Sequence, residues 1–140
     1  MKPLTQAVLA VAALVVLLAA GWWLRPYTAL VVERGACGEL TNRCEFRWSD
    51  HPVTIEVDHP PAVLKPFQLS IAGYAGHTLT ARFAMVGMDM GPIAFPLKRQ
   101  ADGRFAASMM LPYCVQGRRD WQLWLEGDDG TADVTFLAAK

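Results

Sequence analysis

The chain has 140 residues, with 13 basic and 13 acidic side chains and a formal charge of zero. Its basic residues are scattered rather than gathered into a stripe, which excludes the one-sided cationic footprint of a nucleic-acid binder. With the first two dozen residues committed to an apolar run, about 110 remain, the size of one compact domain. Nine prolines and eleven glycines set among short apolar runs predict many turns and short strands rather than long helices.

Residues 4–24 carry no charge, and only Thr5 and Gln6 are strongly polar. At about 1.5 Å per residue a helix over this run reaches about 31 Å, enough for the hydrocarbon core of a bilayer. A cleaved secretory signal competes with that reading, because Ala19-Ala20-Gly21 offers small residues. The run nonetheless exceeds the roughly 7 to 15 residues of a signal core, and Trp22-Trp23 followed by Arg25 reads as an interfacial anchor. The expectation is one uncleaved transmembrane helix at residues 1–25. Lys2 stands against Arg25 and Arg34, so charge barely discriminates orientation. A very short N-terminal tail and the cysteine spacing favour a single-pass, N-in protein of the inner membrane, with its C-terminal domain in the periplasm.

Residues 26–36 read as a connector whose apolar piece, 29–32, is a last helical turn or a first edge strand. Six residues with turn formers among them separate Cys37 from Cys44. By analogy with extracytoplasmic domains, a local disulfide between the two is expected. Cys114 stands alone, and zinc-ligand spacing is absent.

Residues 43–48, 53–58, 66–72 and 78–85 alternate apolar and polar side chains, the signature of strands with one face on a core. Asp-His-Pro flanks the second of these on both sides. Eight extended residues place His51 and His59 roughly 26 Å apart, so they share no ion and act as turn residues. Residues 93–99 and 104–110 flank Asp102-Gly103, a hairpin signal. Residues 120–126 and 131–137 form a last hairpin. Seven or eight strands at intervals of about 8 to 12 residues describe an all-β, antiparallel β-sandwich over residues 37–140. Trp121, Leu123 and Leu125 share its inner face, with Phe83, Met85, Phe105 and Leu137 as further core candidates.

Enzyme signatures are missing: no G-x-S-x-G, H-E-x-x-H, P-loop, dinucleotide fingerprint or C-x-x-C occurs, and no catalysis is expected. Chemistry concentrates instead in residues 85–91, Met-Val-Gly-Met-Asp-Met-Gly, which hold half of the six methionines. Thioethers are soft ligands suited to Cu(I), and equally they are adaptable packing groups. Met88 and Met90 point to one side if the chain is extended, and Met85 joins them only if Gly87 bends the backbone. Cys114 is the natural third ligand and His77 a weaker one. Of Met109 and Met110, at most one faces such a site. Under the competing reading these methionines seal an irregular corner of the sandwich and Cys114 is simply buried.

The order strand, Met-x-x-Met-Asp-Met-Gly, strand, Asp-Gly hairpin, Leu-Pro-x-Cys, Gly-Arg link and Trp-rich strand resembles the membrane-anchored YtkA-like and FixH-like proteins. The resemblance covers about residues 66–137 and is most specific at 85–91 and 111–121. It implies an immunoglobulin-like sandwich, an association with haem-copper oxidase assembly and copper supply, and Met85, Met88 and Met90 as copper ligands. The Cys37 to Cys44 pair and the absence of a histidine-methionine spacing depart from it. Two functions follow as expectations. One is a tethered factor that binds Cu(I) and works with a membrane complex such as a respiratory oxidase. The other is a non-metal accessory module that docks through the loop 86–92, and a thiol function of Cys114 is a remote third.

Overall fold

The structure, a computed structural model, describes residues 11–20, 32–88, 91, 93–113 and 115–140. Residues 11–20 are helical and exposed, and the remainder of the expected membrane span lies outside the described residues. Among the described residues no helix is long and apolar enough to cross a membrane.

Among the described residues ten strands form two five-stranded sheets: β1 (Val32–Glu39), β2 (Arg43–Trp48), β3 (His51–Val57), β4 (Pro66–Ala72), β5 (Leu79–Met85), β6 (Ala94–Pro96), β7 (Lys98–Arg99), β8 (Phe105–Met110), β9 (Asp120–Gly127) and β10 (Gly130–Leu137). One sheet has the order β1-β10-β9-β5-β6 and the other β2-β3-β4-β8-β7. Their apolar faces meet. Phe67, Leu69, Ile71 and Phe105 come from one sheet, and Ala81, Phe83, Trp121, Leu123, Leu125 and Val134 from the other. Phe83 sits at the centre, edge-on to both Phe67 and Phe136 at 6.2 Å between ring centroids, a geometry that suits the ring quadrupoles.

Four details differ from the sequence expectation. The strands number ten rather than seven or eight, because the edges carry the short β6 and β7 and an extra β1. Residues 32–36, expected in the connector, belong to β1, and β1 runs parallel to β10 in an otherwise antiparallel sandwich. The expected strand 93–99 divides: residues 94–96 pair with β5, and 98–99 pair with β8 in the opposite sheet. Pro96 has no N–H to continue a ladder, and the buried Leu97 carries the chain between the sheets. Leu137 faces outward, its neighbours Phe136 and Ala138 being the buried residues; β10 is one residue out of phase with the expected core face.

The sandwich has two distinct ends. At the proximal end, where the chain enters at Val32, lie the loops 49–50, 73–78, 100–103 and 128–129. At the distal end lie residues 40–42, 58–65, 86–88, 91, 93, 111–113, 115–119 and 138–140. Backbone bonds knit the distal end: Val86 N–H to Asp120 O at 3.2 Å, Ala138 N–H to Arg119 O at 2.9 Å, Leu64 N–H to Leu111 O at 2.9 Å and Ala139 N–H to Pro61 O at 2.8 Å.

Candidate functional site

The methionine stretch is the connection from β5 to β6 at the distal end. Alternation along β5 turns Met85 inward, where it is 1% exposed and stands in register with Trp121. The chain then makes a tight turn, with Met88 N–H donating to Met85 O at 3.0 Å and Gly87 at φ 74°. That left-handed value is where glycine is favoured at the third position of such a turn. The bend brings the backbones of Met85 and Met88 together, as an approach of the two residues requires, but their side chains have different surroundings. Met85 fills the core, whereas Met88 is partly buried at the core's margin.

The remaining sequence candidates divide clearly. Met90 and Cys114 lie outside the described residues. Cys114's flanking residues Tyr113 and Val115 are exposed. The segment that carries them leads into Asp120, the residue bonded to Val86, so it enters β9 at the end where the turn bearing Met88 leaves the neighbouring β5. His77 is not part of that end. It precedes β5, whose seven residues place it roughly 20 Å from the methionine turn at about 3.3 Å per residue. Met109 is buried in the core and Met110 points outward.

At the proximal end the His77 side chain is 95% exposed, while its backbone N–H donates to the Asp128 carboxylate. Asp128 also accepts from the Thr78 hydroxyl and the Thr78 N–H, and the Asp128 N–H donates to the Tyr74 hydroxyl at 2.6 Å. Gly127 permits this packing, because a Cβ there would come within 2.2 Å of the Tyr74 oxygen. The Thr78 hydroxyl, followed by the two backbone amides, holds the Asp128 carboxyl below the ordinary aspartate range. A carboxylate with a depressed folded pKa stabilises the fold above its unfolded pKa and loses that contribution as pH falls through the folded value. Asp128→Asn is therefore expected to melt below the parent at neutral pH. The gap should close as the pH drops beneath the ordinary aspartate range; thermal melts across that range check it, and a gap independent of pH would contradict the assignment.

A second feature lies beside the methionine turn. The outward residues of β5, β9 and β10 floor an open groove of about 600 Å³, with Gly87, Met88 and Gly91 along its lip. Trp124 lies half-buried on this floor, directly opposite Arg82 on one side and Asp133 on the other. Arg82 pairs with Glu126 at 2.8 Å, and the Gln122 amide donates to Asp133 at 2.7 and 2.8 Å. Ala84 is small and 4% exposed, which deepens the trough beneath the lip. Attention to the apolar face of β9 passes over these residues. Their signal is an aromatic residue in the polar phase of an alternating strand, Gln122-Leu123-Trp124-Leu125-Glu126.

The fold and these two features define a disulfide-bridged, all-β sandwich domain with a methionine turn and an aromatic groove side by side. Comparisons with protein-family models, with curated proteins and with solved structures give no match for this chain.

Proposed function

We propose that this chain is a membrane-tethered, periplasm-facing factor of immunoglobulin-like fold that handles Cu(I) at its distal end for a membrane complex such as a haem-copper oxidase. The observation that carries the reading is the adjacency of the two loops. The β5–β6 turn with Met88 leaves β5, and the β8–β9 segment, in which Cys114 falls, enters the paired strand β9 at the same end, tied by the bond from Val86 to Asp120. Thioethers and a thiolate form a soft donor set suited to Cu(I). Met88, Met90 and Cys114 supply it in this proposal. Met85, enclosed in the core, buttresses the turn instead of binding, and His77 is too distant. Bound there, the ion would be held by soft sulfur donors beside a solvent-open groove.

Three further features support the reading. The strand orders β3-β4-β8-β7 and β10-β9-β5-β6 match the A-B-E-D and G-F-C-C′ orders of an immunoglobulin-like sandwich. A disulfide suits an oxidising compartment. β1 begins at the proximal end, so an anchor formed by the apolar run at residues 4–24 would leave the methionine turn facing away from the membrane.

The test is competition for Cu(I) between the full-length protein in detergent and a chromophoric chelator, under ascorbate, which leaves the disulfide intact. Met88→Leu with Met90→Leu is expected to weaken Cu(I) binding at least about tenfold, a loss of roughly 1.4 kcal/mol. Met85→Leu should leave it unchanged. Undiminished Cu(I) binding by the double variant would sink the copper reading.

A second reading, a docking module without metal, is favoured by the apolar side chains at the same end. Leu64 and Tyr113 are 57% and 64% exposed. Leu64 is held at φ 59°, a left-handed conformation that costs a leucine roughly 1–2 kcal/mol. Under this reading, co-purification with a membrane complex is insensitive to chelator and is lost on Leu64→Ser with Tyr113→Ser.

A further inference from the structure

We infer that the groove over β5, β9 and β10 is a binding site for an uncharged saccharide chain, separate in its chemistry from the methionine turn on its lip. The first ground is the placement of Trp124. In an alternating strand this position belongs to the polar phase, yet it holds the largest side chain, half-buried on the groove floor rather than in the core. An indole in such a place offers a flat apolar surface on which the C–H face of a pyranose ring can stack.

The second ground is the state of the polar groups around it. Arg82 and Glu126 already neutralise each other, and Gln122 already donates to both oxygens of Asp133. The two pairs are fixed in place before any ligand arrives, so little ordering remains to be done on binding. An anionic or cationic ligand would have to break the Arg82–Glu126 pair to gain a full counter-charge. A wholly apolar ligand would strip water from the three planar polar groups that line the groove, Arg82, Gln122 and Glu126, without replacing their hydrogen bonds. Hydroxyls and amides do neither: they donate to the remaining lone pairs of Glu126 and the Gln122 oxygen and accept from the remaining N–H groups of Arg82.

The third ground is shape. A volume of about 600 Å³ falls within the roughly 300–1,000 Å³ of small-ligand sites. The groove is an open trough over the sheet, so a chain of sugars can run through it rather than end in it.

The experiment is calorimetric titration of the full-length protein, chelator-treated and in detergent, with chitotetraose. An uncharged acetylated tetrapeptide amide and a tetramer of galacturonic acid serve as the comparison ligands. Saturable binding of chitotetraose, with neither comparison ligand competing, is the expected result. Trp124→Ala should weaken it about tenfold, a loss of roughly 1.4 kcal/mol, and Trp124→Phe should recover part of the loss. Because Trp124 lies outside the core, its variants are expected to keep the parent's circular dichroism. Met88→Leu with Met90→Leu should bind the saccharide within about twofold of the parent, so failure of the copper reading leaves this one standing and the converse. No saturable heat with chitotetraose, equal binding by Trp124→Ala, or preference for the peptide or the acidic tetramer would each overturn the inference.

Discussion

Met85→Ala is expected to lower the unfolding free energy of the domain by roughly 2–5 kcal/mol, the range for truncating a buried methionine to alanine. Met85 closes the inner face of β5 at 1% exposure, in register with Trp121, itself fully buried. A cavity here cannot collapse cheaply. On one side β5 is held by β9 through seven paired residues, and on the other Met88 is fastened back to Met85 by its own N–H. The same substitution is expected to leave Cu(I) affinity unchanged, whereas Met88→Ala, at the margin of the core, should show the reverse pattern. Denaturant unfolding of the full-length protein together with chelator competition separates the two roles. A Met85→Ala protein of parental stability would show that the thioether is not a core group.

How much of this was legible in the sequence depends on which residues occupy the inward phase of each strand. β3, β4, β5 and β9 place apolar residues (Val, Ile, Leu, Phe or Trp, with Ala81 and Met85 in β5) at their buried alternate positions, and period-two alternation identifies all four. β1 could not be found this way, because its inward positions include Glu33, Gly35 and Cys37, none of them a large apolar side chain. Gly35 suits the close approach there: a Cβ would lie 3.2 Å from that of Phe46, which would have to give by a few tenths of an ångström. Pairing with β10 defines the strand, and pairing is not written in local composition.

The site divides along similar lines. Glycine at position 87 between methionines announces a bend, and the bend is present. The separation of Met85 from Met88 follows from the phase of β5, which the alternation of Leu79, Ala81, Phe83 and Met85 already displays. The distance of His77 from the methionines is equally a matter of strand length. The groove was not legible, because it joins the β9–β10 hairpin to β5, which lies far from it in the chain. Arg82, Trp124 and Asp133 become a row only through the registers of β5 with β9 and β9 with β10.

Replacing both Cys37 and Cys44 by serine is expected to lower stability by roughly 2–3 kcal/mol, the loop-closure value for a cross-link of this span. The expected pair is present, with Cα atoms 5.5 Å apart and a sequence separation of seven. Its position gives it more consequence than a local staple. Cys37 lies in β1 and Cys44 in β2, so the bond joins the two sheets at the distal end. The register of β1 against β10 explains how. Ala36 faces Thr135 and Gly38 faces Phe136, which leaves Cys37 as the extra residue of a bulge. A bulge re-aims a side chain, and here it coincides with the cross-link to the opposite sheet. β1 is an edge strand with small or polar residues in its inward phase; beyond its ladder to β10, the short link 40–42 and the contacts of Glu33 with Ser49 and of Glu39 with Arg119, the cross-link is what ties it to the opposite sheet. Without the bond, β1 should be the first element to open. Amide exchange of residues 33–39 in the double variant should therefore rise more than that of β9, and reductant should produce the same change in the parent. A parent whose denaturation midpoint does not move on reduction would refute this role for the disulfide.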